Sequence, residues 1–330
     1  MASRPPRRAA PARRRSPAGA PVRARGRESR PARVALVVKR SAWAAYMEEP
    51  ESHVHELIAR RDPAVAHLRS SHDEHLASVT EVRQALEGMG LEVTRIPHGR
   101  RPFDASPFDL VITVGGDGTV LHASHSVGTT PVLAINSCPS RSVGFFCGAR
   151  SGEAERVVGA ALRGKLKRAL LSRMQVSVNG KLVAGRVLND TLFCHACPAH
   201  TSRYIVEFDG QTEEQKSSGF WIGPAAGSTA AQRAAGGRVL SLSSRLLQLV
   251  VREPYTPHGD SYTLARALIR PGQQLRVRSK SREARIFLDG HEDMVPIGLG
   301  DVLDFSLSPE PLQLLGISAH RKWGRQAAVE

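Results

Sequence analysis

The chain has 330 residues, of which 41% are hydrophobic, and it carries a formal net charge of +15. This length is sufficient for two domains with cores of their own, and four cysteines are too few for a disulfide framework. No apolar run approaches membrane length and no signal-peptide core is present, so the sequence indicates a soluble, non-secreted protein of the cytoplasm without a membrane partner.

Most of the positive charge lies in residues 1–33. This segment contains eleven arginines against a single acid, Glu28, and therefore accounts for +10 of the +15. Because it is rich in Arg, Pro and Ala, we expect a disordered tail. A solvated extension, a nucleic-acid-binding arm and an organelle transit peptide remain open interpretations. The rest of the chain is only mildly basic, which favours a small anionic substrate over nucleic acid.

The folded part is predicted to begin with a strand over Val34–Val38. Helical sequence follows from about Glu51 to Met89, and Asp62-Pro63 divides it because proline disfavours helix before it. In its second half, apolar residues recur at helical spacing and predict one buried face, formed by Leu76, Val79, Val82 and Leu86.

A buried strand followed by a glycine-rich turn comes next. Leu110–Val114 is apolar and β-branched, as in a parallel sheet. The turn contains three residues without a Cβ atom, Gly115, Gly116 and Gly118. Their N–H groups and a following helix N-terminus suit phosphate, and the Asp117 carboxylate suits Mg²⁺ or a hydroxyl proton. A tight turn with Asp117 as N-cap is the alternative interpretation.

The strand predicted over Pro131–Asn136 continues an alternation of strands and helices. This alternation is typical of a doubly wound α/β domain, in which ligands bind at the carboxyl ends of the strands. Asp117 and Asn136 should both lie there. A helix over Glu153–Leu162 ends this half.

Short alternating runs then predict an antiparallel β-sandwich. A hairpin turns at Asn179-Gly180, and the later runs are Tyr204–Phe208, Leu264–Ile269, Leu275–Val277, Ala284–Leu288, Val302–Leu307 and Leu312–Ile317. The predicted organisation is a disordered tail (1–33), an α/β domain (34–165), a mainly β domain (166–318) and a solvated tail (319–330).

Three stretches of the β half have a second interpretation. Asn189-Asp190 could bind ribose hydroxyls or form an Asx turn. Residues 223–237 consist mainly of small residues, with Ser228 or Thr229 as a possible helix cap, and could admit a flat ligand or only close packing. Cys194 and Cys197 have zinc-like spacing but no second pair, so a metal site and incidental thiols both stay open.

Taken together, these stretches resemble the ATP-dependent NAD kinases, from about Val34 to about Leu315. Residues 115–119 match the GGDGT motif, Asn189-Asp190 matches an Asn-acid pair, and residues 227–230 match GSTA. Residues 216–219, 225–231 and 251–254 resemble the plant NADH-kinase branch. Because GGDGT also occurs in lipid kinases and phosphofructokinases, another small-molecule kinase and a non-catalytic dinucleotide-binding regulator are the alternatives.

The resemblance implies a Rossmann-like, phosphofructokinase-like α/β domain followed by a β-sandwich. It implies phosphorylation of the adenosine-ribose 2′-hydroxyl of NAD or NADH by ATP with Mg²⁺ or another divalent cation, polyphosphate being a further possible donor, in a homodimer or larger homo-oligomer. Asp117 would be the catalytic base or would orient the hydroxyl. The donor phosphates, and the metal through them, would contact Gly115, Gly116, Gly118 and Thr119. The implied NAD(H)-binding residues are His122, Asn136, Asn189, Asp190, Lys216, Ser218, Gly227, Ser228, Thr229 and Ala230.

Overall fold

The computed structural model describes residues 31–49, 53–97, 102–257 and 261–321. The predicted disordered tail lies outside these residues except for its last three positions, and so does the solvated tail from residue 322 onward. No helix in the described part of the chain has the length and apolar character needed to cross a membrane.

The N-terminal half combines parallel strands with helices. Its strands are β1 (Arg33–Val38), β2 (Glu92–Ile96), β3 (Leu110–Gly115), β4 (Val132–Asn136), β5 (Ala149–Arg150) and β6 (Arg168–Leu171). Its helices are α1 (Ala42–Met47), α2 (His53–Ala59), α3 (Leu68–Gly88), α4 (Asp117–Ser124) and α5 (Ala154–Leu162), with a 3-10 turn over Pro63–Val65. The doubly wound α/β prediction is confirmed.

Strands β1 to β6 and β19 (Leu312–Leu315) form one sheet in the order β2-β1-β3-β4-β19-β6, and β5 pairs with β4. All pairs are parallel except β19 with β6. The run over Leu312–Ile317 was predicted in the β half, which is wrong: it returns to the first sheet beside β4. Strand β2 lies on one side of β1, and β3, the next strand in the chain, lies on the other side. A topological switch point therefore lies between β1 and β3, where ligands bind in such sheets.

Helices cover both faces of this sheet. On one face, strand side chains such as Leu36 and Ile112 pack with Val82 and Leu86 of α3 and with Val157 of α5. On the opposite face, the packing partners include Val120 and Ala123 of α4. The buried face predicted for α3 is correct at Val82 and Leu86 and wrong at Leu76, which is 47% exposed.

The N-terminal half of α3 packs against polar groups, which explains the difference at Leu76. His75 is buried there; its Nδ1 lies 2.8 Å from Ser137 Oγ and its Nε2 lies 3.0 Å from the Lys39 carbonyl. Burial lowers the pKa of His75, the main cause of its shift. A hydrogen-bonding residue therefore occupies the position that apolar periodicity assigns to a leucine.

The C-terminal half is the predicted sandwich of two six-stranded sheets. The first sheet has the order β11-β10-β15-β18-β7-β8, from β7 (Met174–Val178), β8 (Lys181–Val187), β10 (Ser202–Phe208), β11 (Gln211–Ser217), β15 (Gln274–Ser279) and β18 (Val302–Leu307). The second has the order β14-β13-β12-β9-β16-β17, from β9 (Thr191–His195), β12 (Phe220–Pro224), β13 (Leu247–Val251), β14 (Arg266–Ile269), β16 (Ala284–Leu288) and β17 (Asp293–Ile297). Phe193, Phe220, Tyr204 and Phe305 meet in the shared core.

The small-residue stretch forms a 3-10 turn over Ala225–Thr229 and the short helix α6 (Ala231–Ala234). The prediction that Ser228 or Thr229 caps this helix is wrong, because the cap position is Ala230 and no side chain bonds there. Ser228 is fully buried instead; its hydroxyl donates to the Ala225 carbonyl (2.7 Å) and accepts from the Leu240 N–H (2.9 Å).

Candidate active site

A cavity of about 660 Å³ opens at the switch point of the parallel sheet. The wall includes Gly116 of the glycine turn and four residues of α4, namely Asp117, Gly118, Thr119 and His122. The remaining wall includes three cations, Lys39, Arg40 and Arg141, and the segment 288–293. The structure therefore brings together the predicted glycine turn, Asp117 and His122. The three cationic side chains share the wall with the carboxylates of Asp289, Glu292 and Asp293.

Asp117 is the first residue of α4, and Gly116 is the N-cap. The interpretation of Asp117 as the N-cap is therefore wrong. Its carboxylate accepts the N–H groups of Phe145 (2.9 Å) and Phe146 (2.7 Å), which fixes its orientation. An ionised carboxylate has about four acceptor positions, so two remain for a hydroxyl or a cation.

The glycines of the turn serve different purposes. A Cβ atom on Gly115 would lie 2.1 Å from Thr119 Oγ1, and one on Gly116 would lie 2.6 Å from Ser142 Oγ. Glycine is needed at these two positions because the turn is tight and leaves no room for a side chain. A Cβ on Gly118 would meet no atom within 4 Å, although Gly118 lines the cavity. Its missing side chain leaves room for a ligand against the backbone.

The family resemblance implies ATP as a ligand of this turn. We expect Gly118→Ala to lower the affinity for ATP about tenfold or more, the equivalent of about 1.4 kcal/mol, because the added methyl group occupies space beside the helix N-terminus. Stability should not fall, since alanine is the better helix former by about 0.5–1 kcal/mol. Calorimetric titration with ATP and a denaturation curve test this. The control is Gly88→Ala in α3, where a Cβ also meets nothing within 4 Å. Equal ATP affinity in the two variants would contradict the expectation.

The loop after β4 is fixed at several points. Asn136 is buried; its Nδ2 donates to the Ser142 carbonyl (3.0 Å) and its Oδ1 accepts the Cys138 N–H (3.3 Å). Glu74 of α3 accepts the Ser140 hydroxyl (2.5 Å), and this hydrogen bond lowers the pKa of Glu74. Asn136 thus holds a loop and does not line the cavity. Its contact with NAD(H) stays a prediction.

This loop carries Arg141 to the cavity wall, where its Nη2 lies 2.5 Å from His67 Nδ1. Lys39 and Arg40 reach the same cavity from the end of β1. Neither the loop arginine nor these two residues were among the predicted site residues. Their position directly after a strand that borders the switch point is the signal that could have indicated Lys39 and Arg40.

Asp289 is a further residue that sequence reasoning missed. Its side chain is only 2% exposed, and its Oδ2 lies 3.0 Å from His125 Nε2. Its oxygens also accept the backbone N–H groups of Leu188 (2.7 Å), Asn189 (2.6 Å) and Asp190 (3.0 Å). Asp289 has φ +52, like Asp209 of another Asp-Gly turn. The sequence pattern predicted only a turn, and the buried carboxylate depends on the tertiary fold.

The Asn189-Asp190 pair lies behind Asp289 and does not line the cavity. Asn189 Nδ2 donates to Asp190 Oδ2 at 3.1 Å. Burial, followed by the nearby charge of Asp289, raises the pKa of Asp190 to about 7. Direct contact of this pair with a ribose stays a prediction. The pair contacts the cavity wall indirectly, because its N–H groups donate to the carboxylate of Asp289.

The wild-type protein should become less stable as the pH rises, and we expect Asp190→Asn to reduce this decrease. A carboxyl group whose folded-state pKa is raised from 3.8 to about 7 stabilises the fold below about pH 4 and loses that contribution as the pH rises through 7. The shift corresponds to at most about 4 kcal/mol. Urea denaturation at pH 5 and pH 8 should therefore show a smaller decrease for Asp190→Asn than for wild type. Asp73→Asn, at an exposed position on α3, is the control, and identical pH dependence in wild type and Asp190→Asn would contradict the expectation.

The GSTA segment packs directly on the Asn189-Asp190 turn. A Cβ on Gly227 would lie 1.7 Å from the Asn189 carbonyl oxygen, and Gln232 Nε2 donates to the same oxygen at 3.2 Å. Gly227 and Ser228 are buried, whereas Thr229 is half-buried and Ala230 is exposed. Close packing thus explains the first two residues. The predicted ligand contacts of all four stay predictions.

Lys216 and Ser218 lie elsewhere, at the end of β11 and in its connection to β12. The Lys216 N–H donates to Tyr262 Oη (3.0 Å), and the Ser218 N–H donates to the Arg252 carbonyl (3.1 Å). Neither residue lines the cavity around Asp117. The structure does not bring them together with the glycine turn, and their roles stay predictions.

The segment with zinc-like spacing forms local contacts. The His195 and His200 rings stack at 4.4 Å between centroids, and the Cys197 N–H donates to His195 Nδ1 at 3.0 Å. Within residues 31–49, 53–97, 102–257 and 261–321, no group of three or more His, Cys, Asp or Glu side chains is arranged to hold a metal ion.

Comparisons with known proteins identify relatives of this chain by sequence and by fold. A family model described as the ATP-NAD kinase N-terminal domain matches residues 23–162. The probable NADH kinase of Oryza sativa subsp. japonica is 37% identical over 229 residues, covering 63% of this chain and 70% of that protein. The NADH kinase of Arabidopsis thaliana is 38% identical over 230 residues, covering 60% and 69%. The crystal structure of yeast NADH kinase complexed with NADH has a TM-score of 0.63 at 16% identity, covering 88% of this chain and 85% of that chain.

The fold and the site define an α/β protein whose glycine-rich strand-to-helix turn faces a cavity completed by residues 288–293 of the β-sandwich. The sequence identity to the plant NADH kinases, and the share of each chain that it covers, identify the family within this class. The chain belongs to the NAD kinase family, and it resembles the plant NADH-kinase branch.

Proposed function

We propose that this protein is an NAD(H) kinase, which transfers the γ-phosphoryl group of ATP to the 2′-hydroxyl of the adenosine ribose of NAD or NADH. The observation that carries the proposal is the Asp117 carboxylate, fixed by two backbone N–H groups at the wall of the cavity that Lys39, Arg40 and Arg141 also line. The names of the family and of the plant relatives support ATP as donor and NADH as an acceptor beside NAD.

Asp117 accepts the proton of the 2′-hydroxyl as that oxygen bonds to the γ-phosphorus, while the bond from this phosphorus to the β,γ-bridging oxygen breaks and ADP leaves. Such a role contributes about 10²–10⁴-fold in rate. The first N–H groups of α4 and the side chains of Lys39, Arg40 and Arg141 hold the negative donor phosphates. Asp289 keeps the Asn189-Asp190 turn in place through three N–H groups. Phosphoryl transfer requires this combination of positioning and charge stabilisation.

Mg²⁺ prefers oxygen ligands and is commonly held by one or two carboxylates together with substrate phosphates. The cavity fits this pattern, because the exposed carboxylates of Glu292 and Asp293 are part of its wall and would supply such ligands. When bound, the ion neutralises charge on the transferring group. Polyphosphate could present the same phosphate oxygens and is the alternative donor.

The proposal includes the two-part organisation, in which residues 34–165, with the strands β6 and β19 of the same sheet, bind the donor. The rest of residues 166–318 complete the NAD(H) site, with solvated tails at both ends. It also includes NADP biosynthesis in the cytoplasm by a homodimer or larger homo-oligomer. Organellar import directed by the arginine-rich residues 1–33 is the alternative location.

Initial rates with NAD and NADH, each with ATP-Mg²⁺ or polyphosphate, test the proposal directly. NADP and NADPH are quantified with an NADP-specific dehydrogenase. A lipid panel with radiolabelled ATP is the parallel arm. Product from NAD or NADH and none from lipids is the expected result, whereas product from lipids alone would overturn the proposal.

A further inference from the structure

The helix that carries Asp117 is connected at its other end to the β half of the protein. His125 directly follows α4, and its Nε2 lies 3.0 Å from Asp289 Oδ2. The two side chains are 20% and 2% exposed, so the pair is largely shielded from water. Such a contact is stronger than a surface ion pair, and loss of one partner leaves the other as an unpaired buried group.

The partner of His125 also organises the predicted acceptor turn. The two oxygens of Asp289 accept the N–H groups of Leu188, Asn189 and Asp190 at 2.6–3.0 Å. In addition, the Asp289 N–H donates to the Asp190 carbonyl at 2.9 Å. Movement of the Asp289 carboxylate would therefore move this turn with it.

The surroundings of His125 favour the imidazolium form. Asp289 and Asp293 face it with negative charge, and Arg173 opposes them. Arg186 Nη1 donates to the His125 carbonyl at 3.2 Å. Burial lowers the pKa of His125, but the hydrogen bond and charge of Asp289 outweigh this effect and raise the pKa above its ordinary value. A protonated imidazole donates to Asp289 with the strength of a charge-assisted hydrogen bond.

We infer that His125 is a positioning residue, which holds the Asn189-Asp190 turn at a fixed place relative to Asp117 through the carboxylate of Asp289. This role rests on the proposed kinase function, with Asp117 on the donor side and the turn on the acceptor side. His125 thus sets the position of the acceptor turn relative to Asp117 on the donor side. A misplacement of about 1 Å in such an arrangement can lower a rate by about 10²-fold.

The kinetic test compares His125→Leu, which removes the donor, with His125→Gln, whose amide can still donate to Asp289. We expect His125→Leu to lower kcat/KM for NAD(H) by about 10–100-fold with little change in the KM for ATP, and His125→Gln to retain most of the activity. Wild-type KM for NAD(H) should rise with pH as His125 loses its proton. The rise should be smaller in the Gln variant, in which Asp190 of the turn still titrates. His53→Gln, at an exposed position on α2, is the matched control.

Amide hydrogen exchange tests the same link without turnover. The N–H groups of residues 188–190 should exchange at least about tenfold faster in His125→Leu than in wild type, because the Asp289 acceptor loosens. Unchanged exchange there, or equal effects of His125→Leu on the KM values of both substrates, would overturn the positioning role. An inactive wild type would overturn the kinase proposal instead, and the exchange experiment would still decide the role of His125. If the Leu variant does not fold, the Gln variant and its pH profile provide the test.

Discussion

Asp117→Asn is expected to reduce the rate of NADP(H) formation by about 10²–10⁴-fold. The amide cannot take the proton of the 2′-hydroxyl. It also presents an NH₂ group to the N–H of Phe145 or Phe146, where the carboxylate now accepts at 2.9 and 2.7 Å. Loss of one charge-assisted hydrogen bond should lower the free energy of unfolding by about 1.5–3 kcal/mol. Steady-state kinetics and a urea denaturation curve measure the two effects separately.

Asp304→Asn is the matched control for this substitution. Asp304 is also a carboxylate with two N–H partners, both from the Arg276 guanidinium, but it lies on β18 and does not line the cavity. Its amide variant should retain wild-type activity. If a folded Asp117→Asn protein kept more than about a tenth of the wild-type rate, an acceptor role for Asp117 in the reaction would be untenable, because general-base removal should cost far more.

The glycine turn could be predicted from sequence because its determinants are local. A β-branched strand, three glycines and an apolar helix start follow one another within residues 110–123. The structure adds why Gly115 and Gly116 are small and why Gly118 faces open space. The sandwich could also be predicted, from the alternation of apolar and polar residues and from the turn residues. The return of β19 to the parallel sheet could not be predicted. A short apolar strand carries no signal for which sheet it joins.

The rest of the site depends on contacts between residues far apart in the chain. Asp289 meets the N–H groups of residues 188–190 about one hundred positions earlier, and no local pattern distinguishes its Asp-Gly turn from that at Asp209. His75 replaces an apolar residue on α3 because a loop packs there. Patterns of burial and periodicity thus identify elements, while buried polar networks become visible only once the fold brings their members together.

Arg173→Met is expected to lower the free energy of unfolding by about 3–5 kcal/mol. Arg173 is completely buried at the start of the sandwich. Its Nη1 donates to the carbonyls of Ser124 and Val127 (2.8 Å each), and its Nε donates to the Glu310 carbonyl (2.6 Å). Burial lowers the pKa of Arg173 to about 10, so the guanidinium stays charged at neutral pH. Methionine has similar length but leaves all three carbonyls without this donor.

The exposed Arg276→Met variant provides the comparison, because its ion pair with Asp304 is screened by solvent and should contribute little to stability. Arg173→Lys should fall between the two, since one ammonium cannot reach three carbonyls in the same geometry. Ser124 is the last residue of α4, whose first residue is Asp117, and Val127 lies in the segment that follows the helix. Arg173→Met should therefore also lower kcat in the fraction that stays folded at 10–15 °C, measured by kinetics below the unfolding transition. A loss of less than 1 kcal/mol with unchanged kcat would mean that α4 is held in place without the buried guanidinium.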